Sequence, residues 1–140
     1  MIGIGKKKEK HTPHNLLITL IGGILVWLGW YGFNVGSAFT FDHIAMISFV
    51  NTVIGASAGA FGWLIFEYIL KKTTSLLGLL SGALSGLVAI TPAAGYVSYM
   101  SAMIIAIIGG ICCYIVINLI KVKLQYNDAL AVSYTHLRAH

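Results

Sequence analysis

Trp30, Phe33, Asn34 and Ser37 lie within one stretch, GWYGFNVGSAF, at residues 29–39. At about 100° per residue they share one face of a helix. That face presents an indole, a phenyl ring, an amide and a hydroxyl. Aromatic faces attract a cation, and a hydroxyl oxygen accepts a bond from N–H. The same aromatics also fit a belt at a membrane interface. Asn34 and Ser37 fit a belt less well, because polar groups close to lipid need a partner or a cavity. Periodicity alone leaves both readings open.

Other reactive side chains read as structural. Glu67 stands four residues before Lys71, a spacing that suits an ion pair better than a transport role. Asp42 and His43 read as a solvated loop or a helix cap. His11 and His14 flank a proline in a basic leader, where solvation is the simpler reading than metal binding. Cys112 and Cys113 are adjacent, without a CxxC pair or a nearby histidine, and read as buried small apolar residues. There is no P-loop, no GxGxxG after a strand, no sensibly placed Ser-His-Asp set and no Cys/His cluster. With only four acidic residues in the chain, neither an enzyme, a resident metal nor a cofactor is expected.

The elements that carry these residues follow from composition. Of 140 residues, 58% are hydrophobic and 9% are charged. A soluble domain of this size is nearer ~25% charged and could not bury so much apolar surface in one core. A bilayer is the natural solvent. The spacing predicts an all-α polytopic transmembrane bundle with four helices, at about 16–33, 44–70, 75–90 and 99–120. The second is long enough to tilt, and the third stops at Thr91-Pro92, where proline removes a backbone donor. The irregular TPAAGY that follows is tolerated at membrane depth only under cover of protein or a water-lined cavity. A signal peptide is not expected, because the first apolar run is long, lacks an A-x-A site and precedes three more.

The net charge of +5 is placed at the ends of these runs. Lys6, Lys7, Lys8 and Lys10 precede the first, Lys71 and Lys72 follow the second, and Lys121 and Lys123 follow the fourth. The two remaining loops carry no lysine or arginine. This alternation puts residues 1–15, 71–74 and 121–128 on the cytoplasmic side of a cell membrane. It does not form the basic face that nucleic acid requires. Gly55 and Gly59, and Gly78, Gly82 and Gly86, recur at four-residue spacing and predict close helix packing.

Several motifs occur together: GWYGFNVGSAF, then FVNT at residues 49–52, SLLG at 75–78, SGALSGLVAITPAAGYV at 81–97 and NDAL at 127–130. In this order and spacing the chain closely resembles ammonium transporters of the Amt/Rh family, over about residues 6–132. The resemblance implies eleven membrane helices in two inverted five-helix repeats, assembled as trimers with a pore in each subunit. This chain is similar to the sixth to ninth helices. By the same resemblance Ser37 binds ammonium at the outer mouth, Phe33 is one ring of the pore gate, and Trp30 lines the pore. Asn34, Thr91 and His136 are further pore-lining candidates. Implied partners are ammonium or ammonia, the lipid bilayer, two further subunits and a cytoplasmic regulatory protein.

The resemblance also has departures. It places the first of two pore histidines ahead of Met1. The second belongs to a stretch that should follow NDAL, where this chain reads AVSYTHLRAH. His136 falls at the right count from Asp128, but its neighbours differ, and the register reads as coincidence. Residues 133–140 look foreign to the family. The chain is therefore expected to be a fragment that does not conduct alone. Two alternatives accompany this reading: a piece of another polytopic transporter, or a small four-helix membrane subunit that packs against partners.

Overall fold

The computed structural model describes residues 15–39 and 41–124, with side chains described to residue 119. The basic leader, Asp128, His136 and the 133–140 tail lie outside the described residues.

Four helices follow in order: α1 (Leu16–Gly36), α2 (His43–Lys71), α3 (Leu76–Ile90) and α4 (Tyr99–Leu124), with one 3-10 turn at Thr91–Ala93. All four runs are long and apolar enough to cross a bilayer, α3 by including its 3-10 turn to Ala93. No strand occurs among the described residues. This is the expected all-α polytopic bundle of a multi-pass membrane protein.

Each of the first three helices begins where a short polar side chain can satisfy free backbone N–H groups. Asn15 Oδ1 accepts from Leu17 and Ile18, Asp42 Oδ1 from Ile44 and Ala45, and Ser75 Oγ from Gly78. Asp42 is therefore a helix cap, the second of the two readings open for it. α2 ends at Lys72, whose left-handed backbone (φ 58°) closes the helix through a bond to the Tyr68 carbonyl.

α3 ends at Ile90, at the Thr91-Pro92 stop that the sequence predicts, and Pro92 lies just beyond it. It falls at the start of the 3-10 turn, where a missing N–H costs little. The Thr91 N–H still bonds the Leu87 carbonyl, so α3 tightens into the turn before the chain leaves the helix.

α2, α3 and α4 form the core. A Cβ on Gly59 would lie 2.5 Å from Gly86 Cα and 2.6 Å from the Gly82 carbonyl oxygen. A Cβ on Gly62 would lie 2.7 Å from the Ile107 carbonyl oxygen on α4. The repeated glycines thus let three backbones approach, as their spacing predicted. α1 lies against this wedge through Gly23, which abuts the Leu80 side chain, and through Trp27 and Trp30, which cover a cluster of Ala56, Ala60, Leu84 and Leu87.

Candidate functional site

α1 carries the expected site residues because its apolar run continues three residues beyond Phe33 before unwinding at Ser37. The shared face spans about 100°, with Phe33 at one edge and Asn34 at the other. That spread decides their surroundings. Asn34 is buried against α2, Trp30 is half-buried against α3, and Ser37 and Phe33 are exposed, Phe33 by 63%.

Two hydrogen-bonded relays hold this face. Trp30 Nε1 donates to Thr91 Oγ1 at 2.8 Å, and Thr91 Oγ1 donates to the Leu87 carbonyl at 2.7 Å. Asn34 Nδ2 donates to Thr52 Oγ1 at 3.0 Å, and Thr52 Oγ1 donates to the Ser48 carbonyl at 2.6 Å. Each threonine has one proton, and each spends it on its own helix. The oxygens must therefore accept from α1, which fixes the orientation of the Asn34 amide. Asn34 Oδ1 is left buried without a partner.

The structure thus brings Trp30, Asn34 and Thr91 together with Thr52, which residue-by-residue reading did not single out. FVNT was the available signal, as a motif without an assigned role. Ser37 Oγ donates to the Phe33 carbonyl, so its lone pairs remain free to accept from an N–H donor. The Phe33 ring and the Ser37 hydroxyl open onto the same uncovered side of α1.

A second polar group lies at the other end of the bundle. Glu67 forms the expected i, i+4 ion pair with Lys71, at 3.6 Å. It is also buried, and accepts from the Ser75 hydroxyl at 3.1 Å and the Ser75 N–H at 3.3 Å. Gly78 makes room for it: a Cβ there would strike the carboxylate. A cavity of about 190 Å³ opens beside Glu67, lined also by Trp63, Ser81, Tyr114 and Asn118. Trp63 and Tyr114 meet edge to face at 5.3 Å, and Lys71 Nζ stands 5.4 Å from the Tyr114 ring centre. The sequence placed the ion pair but not this surround, since Tyr114 arrives from α4, far along the chain.

The cysteines require a correction. Cys112 is exposed on α4, and Cys113 is half-buried against the cluster of Trp63, Tyr114 and Ile117. Adjacent residues on a helix point about 100° apart, so adjacency in sequence does not put both inside. Among the described residues no group of three or more His, Cys, Asp or Glu gathers at one place.

The described helices thus form an all-helical bundle of membrane-spanning length, with an aromatic-polar face on α1. The family model of the ammonium transporter family matches residues 2–139, and the chain belongs to that family. It is 50% identical over 131 residues to the ammonium transporter of Bacillus subtilis, covering 92% of this chain and 32% of that protein. It is 36% identical over 134 residues to the ammonium transporter of Aquifex aeolicus, covering 95% of this chain and 32% of the relative. Among solved structures, Saccharomyces cerevisiae Mep2 superposes with a TM-score of 0.80 at 35% identity, over 88% of this chain and 29% of that one. The chain thus spans about a third of the length of the relatives it matches. Membership in this family removes the reading of a piece from an unrelated transporter.

Proposed function

We propose that these helices form one wall of a pore that carries ammonium or ammonia across a cell membrane, within a longer transporter. Ser37 receives the ion at the outer mouth, Phe33 gates the entry, and Trp30 lines the path below, with Asn34 and Thr91 behind it. The observation that carries this reading is the Trp30–Thr91 hydrogen bond. It ties down the indole N–H and leaves the neighbouring Phe33 ring and Ser37 lone pairs on the open side of α1.

The physics favours deprotonation on the way in. Aromatic rings and a hydroxyl offer a cation roughly 0.5–2 kcal/mol at the mouth. A charge at the bilayer centre costs about 2.5–3.5 kcal/mol or more. A narrow apolar path beyond Phe33 therefore passes ammonia more readily than ammonium. No cofactor, metal or enzymatic step is assigned, and His136 is given no role.

Residues 1–15, 71–74 and 121–128 face the cytoplasm in this reading, supported by the lysine distribution. The longer protein assembles as a trimer and offers its cytoplasmic side to a regulatory protein. This segment alone does not conduct.

Methylammonium uptake by a full-length transporter containing this segment tests the assignment. Ser37→Ala is expected to raise KM several-fold, and Phe33→Ala to change maximal uptake, both at unchanged protein level. Uptake that is indifferent to both substitutions would falsify the pore reading. Growth rescue of a transporter-deficient cell by the 140-residue chain alone would contradict the expectation that it cannot conduct.

A further inference from the structure

The FVNT motif has a second polar member besides Thr52. Asn51 is fully buried on α2, and its Nδ2 donates to two carbonyls of the segment after the 3-10 turn: Ala94 at 2.8 Å and Val97 at 2.9 Å. Two carbonyl acceptors require the amide nitrogen on that side, so the orientation of the side chain is fixed. These bonds span 43 and 46 residues and serve a stretch whose backbone has left the helix. Without them two carbonyls would stand unpaired in a covered segment, where such groups are costly.

Thr91 begins that turn. On one side it is held to α3, by its N–H and its hydroxyl, both on the Leu87 carbonyl. On the other side, the Tyr96 N–H closes the following turn on the Ala93 carbonyl, and Asn51 pins the Ala94 carbonyl inside it. Adjacent residues of α2 therefore lock two different neighbours: Thr52 takes α1 through Asn34, and Asn51 takes the broken end of α3. The Trp30–Thr91 bond closes the triangle between them.

We propose that Asn51 is a positioning residue for the pore: its double bond to the Ala94 and Val97 carbonyls fixes the Thr91 hydroxyl that orients Trp30. This rests on the pore reading given above. Asn51 touches no substrate, and it acts through Thr91. The role predicts a loss in permeation rather than in capture at the outer mouth, because Ser37 lies beyond the triangle and is held by α1 itself.

The test is a double-mutant cycle between Asn51 and Thr91 in a full-length transporter containing this segment, reconstituted in vesicles. Methylammonium uptake is measured per folded transporter. If the unmodified transporter carries no methylammonium, the pore reading fails on its own account. If it does, Asn51→Ala should lower maximal uptake about tenfold while KM moves less than about twofold. In a Thr91→Val background the same change should lower maximal uptake by less than about twofold, since the residue through which it acts is already gone. Losses that multiply in the double variant overturn the proposal, as does wild-type uptake per folded Asn51→Ala transporter. Where Asn51→Ala yields too little folded protein, Asn51→Ser goes through the same cycle and is judged by the same two outcomes.

Discussion

α1 buries two of its 21 residues, whereas α3 buries ten of its 15. The contrast reflects two ways of holding a helix where no hydrophobic force draws helices together. α3 is held by shape. Its glycines meet the glycines of α2 so closely that a single Cβ has no room. α1 packs lightly, through Gly23, Trp27 and Trp30, and adds polar points: two side-chain donors reach two threonine hydroxyls, while most of its length stays uncovered. Shape fixes a helix along its length, while two hydrogen bonds fix its rotation and height at one end. The pore candidates sit at that polar end.

The largest expected effect falls on the shape-held region. Gly59→Ala should unfold or misassemble this chain in detergent, read as loss of a monodisperse species and of a cooperative melt. Ordinary overpacking costs about 1–3 kcal/mol. The contacts here are backbone atoms that cannot rotate aside, so the cost should sit at or above that range. A Gly59→Ala chain that melts like the parent would break the comparison at its stronger side.

The polar anchor should respond less. Thr52→Val keeps the shape and removes the hydroxyl, leaving the Asn34 amide and the Ser48 carbonyl without that partner. Interhelical hydrogen bonds in membranes average about 0.6 kcal/mol and reach about 1.7. The melting point should therefore fall modestly, while exchange of the α1 amides near Asn34 should quicken more than that of α3. Equal change in both helices would show that α1 is not separately anchored.

The smallest effect is expected at Gly29. A Cβ there meets nothing within 4 Å, in contrast to the α2 and α3 glycines. Gly29→Ala should leave the melt unchanged or raise it, by up to about 1 kcal/mol from helix propensity. A clear loss would show that the open side of α1 is already in contact in this chain.

The sequence made some of this legible and hid the rest for physical reasons. Four spans could be read because a bilayer demands a long apolar run, and the lysines mark the run ends. Helix ends were less visible. α1 continues to Gly36 because nothing between Phe33 and Gly36 breaks a helix, and α4 continues to Leu124 for want of a proline or glycine beyond Ile120. The face shared by Trp30, Phe33, Asn34 and Ser37 follows from one helix's period. Its partners do not, since Thr52 and Thr91 stand 18 and 61 residues from the groups they bind. Helix spacing suggested that Gly82 and Gly86 would meet another helix. It could not show that Gly78 would shelter a carboxylate from α2. Cys112 went astray because in a chain this apolar throughout, apolar character does not distinguish inside from outside.

The direction of the two threonine relays has an electrical consequence. Each runs from a group that does not release its proton in the physiological range, an indole or an amide, and stops at a peptide oxygen. Neither is a chain along which a proton could hop. The packing behind Trp30 and Asn34 therefore offers no proton wire along these two threonines.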